Sequence, residues 1–328
     1  MTILVTGATG LIGGKLALHL ADQGVKVHAL CRSAAKAAGL SHPNITIFHG
    51  TIEDERALTL AMEGCEQVYH LAAYTGVWRR DSGYYTRINV DATHRVLQLA
   101  TAAGVRRVVI TSTAGVLGPS GNGTIDEESQ APASYFTYYE ESKARMEEMI
   151  CAFPKGPIEI VIVNPSRLYG PGPLNKSNSV TKLLVQYLRG KWHFLPGNGN
   201  GRGNYAFLED VVQGHILAME KGIDRQRYIL GGENLSYKEL FQRAGKVAGC
   251  TRTMIPFPNS LMLTTAALTK IFATLTGTPP LITPGWVRKY YHDWNLSCRK
   301  AERELGYRIT PFEEGVEKII KTFDLCRK

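Results

Sequence analysis

The chain has 328 residues, 44% of them hydrophobic and 20% charged, with a formal net charge of +9. That is length enough for one large core or two ordinary domains, in the composition of a soluble globular protein. The Lys and Arg residues are scattered rather than blocked and no nucleic-acid motif occurs, so nucleic acid is excluded as the expected partner; an anionic small-molecule cofactor and a solvated surface account for the charge.

Apolar residues begin at Ile3 with no basic leading region or cleavage site, so no secretory leader is expected. Ile3-Leu4-Val5 reads as a buried strand. It runs into Gly7-x-x-Gly10-x-x-Gly13, and Leu16, Leu18 and Leu20 then carry a helix that ends near Gly24. Strand, glycine turn and helix in this order point to a nucleotide site. One glycine lets the backbone turn sharply, another lets it approach a pyrophosphate, and a third lets the helix pack against the strand. The helix N-terminus offers its free N–H groups to phosphates. Gly7, Thr9, Gly10, Leu11, Ile12 and Gly13 are the expected cofactor contacts of this turn.

Val25 to Leu30 is a second strand, followed by Cys31 and Arg32. A carboxylate at this strand end would bind the free 2′-hydroxyl of NAD, whereas an Arg suits the 2′-phosphate of NADP. Cys31 stands where the acid would be, so Arg32 favours NADP, with NAD as the alternative. Ile45 to Phe48 is a third strand and Glu53 to Glu63 a helix. Gln67 to Ala73 is a fourth strand with a small-residue exit on which a flat ligand could lie; His70 within it reads as a packed structural residue. Tyr84 to Ala103 is a long helix holding Asn89. Arg106 to Thr113 is a fifth strand ending in hydroxyls. Strands alternating with crossover-length helices make a parallel sheet, whose ligands bind beyond the carboxyl ends of the strands. Gly7, Arg32, Ala72 and Thr113 all fall at such ends.

Tyr139-Glu140-Glu141-Ser142-Lys143 places Tyr139 and Lys143 on one helix face. A nearby ammonium favours the phenolate, so Lys143 is expected to lower the Tyr139 pKa and make it a usable general acid/base. Thr113 supplies a hydroxyl for a carbonyl oxygen. Tyr135 and Tyr138 lack a Lys four residues on. Ile158 to Val163 is a sixth strand, and the Pro/Gly-rich run from Asn164 to Gly172 reads as the exit from a nucleotide domain. Val180 to Leu188 and Glu209 to Met219 are helices, Gly197 to Gly203 a flexible loop carrying Arg202, and Arg227 to Leu230 a strand. From Ser236 the chain is mostly helical. Leu261 to Leu275 is too short to span a bilayer and carries Lys270, so it reads as a core or interface helix without stable membrane insertion. The six cysteines (Cys31, Cys65, Cys151, Cys250, Cys298 and Cys326) form no C-x-x-C. Neither a metal site nor a disulfide framework is expected, and a cytoplasmic location is.

These motifs together resemble the extended short-chain dehydrogenase/reductase family, the NAD(P)-dependent epimerase/dehydratase group. The matching pieces are Thr6 to Gly13, His70 to Ala73, Asn89-Val90, Thr111 to Ala114, Tyr139 to Lys143, Pro165 to Gly172 and Asp210 to His215, in family order. Tyr228 to Ser236 and Ala301 to Tyr307 are most similar to dihydroflavonol 4-reductase-like proteins and hopanoid-associated sugar epimerases. The resemblance implies an α/β fold: a Rossmann-type doubly wound parallel sheet with a smaller, mostly helical C-terminal substrate domain. Residues 1–165 would bind the nucleotide, rejoined by about residues 204–230, and residues 166–328 would bind substrate. By the same resemblance Thr113, Tyr139 and Lys143 are the catalytic triad, with Lys143 also holding the nicotinamide ribose, and Leu71, Ala72, Ala73, Pro165 and Leu168 line the cofactor. The family's adenine-binding acid is Thr51 here, leaving a backbone N–H near Ile52 to serve.

Sugar dehydratases carry an Asp-Glu pair after the catalytic hydroxyl; Ala114 and Gly115 stand there, removing the acid and base for water loss. The expected activity is therefore NADP-dependent reduction of a small carbonyl substrate. The alternative is an NAD-dependent nucleotide-sugar epimerase, with Arg202 on the diphosphate. A nucleotide-sensing or scaffold protein is the non-enzyme reading, and the intact triad argues against it. A homodimer is compatible with all three.

Overall fold

A computed structural model describes residues 1–280 and 282–325. The strands are β1 (Thr2–Thr6), β2 (Lys26–Cys31), β3 (Ile45–His49), β4 (Gln67–His70), β5 (Arg107–Thr111), β6 (Glu159–Pro165), β7 (Arg167–Tyr169), β8 (Phe194–Pro196), β9 (Arg202–Phe207), β10 (Arg227–Leu230), β11 (Glu233–Ser236) and β12 (Ile255–Phe257). Seven of them form one parallel sheet in the order β10-β6-β5-β4-β1-β2-β3. The chain runs outward from β1 to β3, then returns to β4 on the other side, which opens a crevice at the carboxyl ends of β1 and β4.

Both faces of this sheet are covered, and the alternation of side chains divides its residues between two cores. Ile3, Val5, Val109, Val161 and Val163 pack on one face with the helices Leu11–Asp22 and Leu208–Lys221. Leu4, Val68, Val108, Ile110 and Ile162 pack on the other with the helices Glu55–Met62, Ala92–Ala102 and Tyr138–Ala152. Each such side chain, fully buried, contributes about 1.5–3 kcal/mol.

The helix expected from Tyr84 begins as a short turn of helix at Gly83–Thr86, passes through a π-turn at Arg87–Asp91, and becomes regular at Ala92–Ala102. The loop expected at Gly197 to Gly203 gives way to a strand at Arg202. β9 pairs in parallel with β7 and antiparallel with β11, in a small sheet outside the main one. Gly203 and Asn204 within it hide the strand from periodicity arguments. A third core of Tyr169, Tyr187, Phe207, Phe241 and Phe312 holds this part together. Ser236 and Glu239 form a capping box that starts the helix Tyr237–Val247.

Of the two readings of Leu261 to Leu275, a core or an interface helix, its exposure removes the first. In the helix Asn259–Thr276 only Ala266 and Ala273 are buried, while Leu268, Phe272 and Leu275 are 63%, 62% and 79% exposed. The residues turned inward are small, so counting apolar residues misreads the face. No helix among the described residues is long and apolar enough to cross a membrane. Cys31, Cys65, Cys151, Cys250 and Cys298 are free thiols, and Cys326 lies outside the described residues.

Candidate active site

Gly7 follows β1 with φ of +72°, a conformation L side chains rarely adopt. A Cβ there would lie 2.7 Å from the Ala72 backbone nitrogen and the Leu71 carbonyl carbon. The turn therefore presses against the exit of β4. A Cβ on Gly13 would sit 2.4 Å from the Gly7 oxygen, so the first helix can close on the turn only without a side chain at that position. Thr9 and Gly10 remain exposed at the helix start, and Leu11 and Ile12 are partly accessible. This cradle of backbone, which a Cβ would fill, fits a dinucleotide pyrophosphate.

Arg32 is exposed directly after β2 and makes no hydrogen bond or ion pair among the described residues. Ile52 is buried and Thr51 exposed beyond β3. Leu71, Ala72 and Ala73 follow β4, tied to β1 by the Leu71 N–H on the Thr6 carbonyl and the Ala72 N–H on the Thr6 hydroxyl. His70 is buried between the hydroxyls of Thr6 (2.8 Å) and Thr93 (2.9 Å). Burial, then the charge of Lys143, pushes its pKa down to about 3, so it is a neutral structural residue. At the ends of β5 and β6, the buried hydroxyls of Ser112 and Ser166 have no partner among the described residues. Pro165 is buried and Leu168 partly accessible beside them.

Thr113 follows β5 and caps a short 3-10 turn, its hydroxyl accepting from the Gly115 N–H at 3.2 Å. The Tyr139 phenol lies near enough to the same hydroxyl for Thr113 to favour its ionised form. Asn164, buried at the end of β6, donates to the Thr113 carbonyl at 3.2 Å and to the Glu147 carboxylate at 2.7 Å. Sequence reasoning named Asn164 only as part of an exit loop; it is a positioning residue for Thr113.

Tyr139 lies in the first turn of the helix Tyr138–Ala152, which Thr137 caps through the Glu140 N–H. Lys143, one turn on, is buried. Its ammonium donates to the Thr111 carbonyl at 2.6 Å rather than turning to the phenol. The expected lowering of the Tyr139 pKa by Lys143 is therefore absent: burial pushes it up to about 12, against the hydrogen bond from Thr113, with Glu140 adding to the rise. Burial likewise brings Lys143 down to about 8, partly offset by Glu147. The phenol stays protonated across the neutral range, as a proton donor must. Tyr138 is exposed and Tyr135 packs at the edge of the first core; neither partners Thr113.

Asn89 sits in the π-turn and braces the site. It accepts from the Tyr74 N–H at 2.8 Å, donates to the Tyr74 carbonyl at 3.1 Å, and donates to the Ser142 hydroxyl of the helix Tyr138–Ala152 at 2.9 Å.

The two arginines of the small sheet differ. Arg202 is consumed internally: it donates to Asn295 (3.1 Å), to the Glu239 carboxylate (3.3 Å) and to the Asn234 carbonyl (2.7 Å). Arg167, which sequence reasoning passed over, emerges two residues beyond β6. Its guanidinium lies against the Tyr205 and Tyr237 rings and donates to the Tyr237 hydroxyl at 2.8 Å. No carboxylate pairs with it among the described residues. A Cβ on Gly203 would be 2.4 Å from that guanidinium, so the missing side chain makes its space. Lys289 is ion-paired to the buried Glu140, beside Tyr139. No local pattern marks these residues, because their partners are far apart in sequence.

The family model described as "NAD dependent epimerase/dehydratase family" matches residues 3–231. A Synechocystis protein that carries a provisional dihydroflavonol 4-reductase name is 30% identical over 325 residues, covering 97% of this chain and 93% of its own. Sterol demethylase protein B of Methylococcus capsulatus is 33% identical over 264 residues, covering 80% and 79%. The crystal structure of UDP-glucose 4-epimerase from Thermotoga maritima, with UDP-glucose, superposes with a TM-score of 0.81 over 99% of both chains, at 22% identity. The last likeness is one of fold.

Proposed function

Because the chain belongs to the NAD-dependent epimerase/dehydratase family, whose members are NAD(P)-dependent oxidoreductase-type enzymes, we propose that it reduces a ketone or aldehyde of a small organic substrate using NADPH. The observation that carries this reading is the Thr113 hydroxyl beside a Tyr139 phenol that burial keeps protonated, with Lys143 one turn away on the same helix. Residues Gly7 to Gly13 and Leu71 to Ala73 would hold the dinucleotide, with Pro165 and Leu168 beside it and a backbone N–H near Ile52 at the adenine. When bound, that group supplies the hydride.

The chain's own residues do the rest. Thr113 donates a hydrogen bond to the substrate oxygen as negative charge develops there, and Tyr139 delivers the proton to that oxygen. Lys143 keeps a positive charge beneath the pair and is within the same helix face for the ribose. Asn164 and Asn89 hold Thr113 and the catalytic helix in place. Ala114 and Gly115 provide no acid or base for water loss. NADPH is preferred to NADH in this reading because Arg32 is exposed and uncommitted where a 2′-phosphate would lie.

A second reading, a nucleotide-sugar epimerase with NAD, draws on one observation: Arg167 has no carboxylate and could take a phosphate. Arg202, the earlier candidate for that role, is already engaged. The purified protein incubated with NADPH and a panel of aldehydes and ketones tests the choice. Net loss of NADPH absorbance is expected. Interconversion of a nucleotide sugar with retained NAD and no net oxidation would replace the first reading by the second.

A further inference from the structure

The helix Asn259–Thr276 carries its large apolar residues on the outside. Five of the exposed large hydrophobic residues of the described chain lie on it: Leu261, Leu268, Ile271, Phe272 and Leu275. At about 100° per residue they fall within one stripe about 100° wide, with Ala266 and Ala273 on the opposite side. The helix packs chiefly on the short helix Pro284–Lys289, through that narrow small-residue edge. Exposed Ile255, three residues before Pro258, and Phe194, on the neighbouring strand, extend the apolar surface. A cluster of exposed large apolar side chains of this kind marks an interaction site.

Charge indicates what covers it. From Leu240 to His292 the sequence contains no Asp or Glu, and six Lys or Arg. An even spread of the chain's 29 acidic residues would place about five there. Two of the six are neutralised: Arg243 by Glu233 and Glu313, and Lys289 by Glu140. Lys270, on the helix, and Arg288, on the helix it packs against, are exposed and form no ion pair among the described residues. A second copy of the chain meeting this face about a two-fold axis would bring these cations together, and the stretch that carries them contributes no carboxylate to meet them. An anionic lipid surface answers both features, accepting the stripe among its acyl chains and the cations among its headgroups.

We propose that the helix Asn259–Thr276 is a membrane-docking element that lies flat in the interface of an anionic bilayer. It rests there without spanning, in keeping with its length and composition. The short helix behind it is locked to the catalytic region. Gly285 abuts the Phe136 carbonyl so closely that a Cβ would lie 2.1 Å from it, and Lys289 pairs with Glu140, next to Tyr139. Docking would thus hold the catalytic helix close to the bilayer surface.

The test is co-sedimentation of the cofactor-loaded full chain with vesicles, a readout independent of turnover and of which carbonyl is reduced. Phosphatidylcholine vesicles containing about one-third phosphatidylglycerol should retain the protein, and pure phosphatidylcholine or high salt should weaken binding about tenfold or more. Replacing Leu268, Phe272 and Leu275 together by Ser should weaken binding about tenfold or more, with thermal unfolding unchanged, because these side chains are exposed. The pair Lys270→Glu and Arg288→Glu should remove the preference for anionic vesicles. Wild-type protein that stays in the supernatant with both vesicles would overturn the proposal. So would a triple variant that binds as tightly as wild type, or one whose main effect is to turn a dimer into a monomer.

Discussion

Around Gly7 the walls of the site are backbone: the turn, the exit of β4 and the start of the first helix meet with no room for a Cβ. Around Arg167 the walls are side chains, the rings of Tyr205, Tyr237 and Tyr290 gathered from positions up to 123 residues away. The backbone wall depends on what residues lack, and the side-chain wall on what they carry. A backbone wall accepts any ligand of the right shape and charge, which suits a shared cofactor. A side-chain wall can be changed one residue at a time without disturbing the sheet, which suits a substrate.

Tyr139→Phe is the strongest probe of where the two walls meet. It removes the proton donor and keeps the ring, so turnover should fall by about 10²–10⁴ while cofactor affinity is unchanged. Steady-state kinetics beside a fluorescence titration of NADPH measures both, and turnover within a few-fold of wild type would remove Tyr139 from the mechanism. Gly7→Ala tests the backbone wall. A side chain at φ of +72°, 2.7 Å from Ala72, should lower stability by about 2–4 kcal/mol in a denaturant titration and abolish cofactor binding. Normal binding by this variant would mean the turn does not enclose the pyrophosphate.

Arg32→Ala probes the charged side chain assigned to the cofactor's 2′-phosphate. NADPH binding should weaken by about 1.5–3 kcal/mol and NADH far less. Equal losses would end the assignment to the 2′-phosphate.

The smallest effect is in pH. With Lys143 held down to about 8 and Tyr139 up to about 12, kcat/KM should fall above about pH 8 as the lysine loses its charge, by about tenfold per pH unit. No phenol limb should appear below pH 10, the ordinary value. In stability the sign is opposite. The folded Lys143 sheds its proton before the unfolded one, so its contribution becomes more favourable between about pH 8 and its unfolded value of 10.5. The Tyr139 contribution is lost as pH rises from 10 through about 12. Thermal unfolding of Lys143→Met should lack the first change.

What could be read in the sequence follows the same division. The glycine turn and the Tyr139–Lys143 spacing are local, and their elements stand where periodicity put them. The direction of the Tyr139 pKa is not legible in the sequence, because helical spacing places Lys143 near the phenol without saying that the Thr111 carbonyl takes its ammonium. Arg202 and Arg167 look alike as letters. Only residues 32 to 93 positions away decide that the first is spent and the second is not. The outward face of the helix Asn259–Thr276 did have a local signal: Leu recurs at 261, 268 and 275 and Ala at 266 and 273, large and small on opposite sides.

The π-turn at Arg87–Asp91 has a consequence for chain length. It inserts roughly one extra residue into a helix, and Asn89 within it grips the Tyr74 loop with one end and Ser142 with the other. Deleting a single residue here would relax the helix to regular geometry with both flanks in phase, but the wide turn from which Asn89 reaches Tyr74 and Ser142 would be gone. Residue count in this segment therefore decides whether that reach exists, and loss of one residue here should release both grips at once where a similar loss in a surface loop would pass unnoticed.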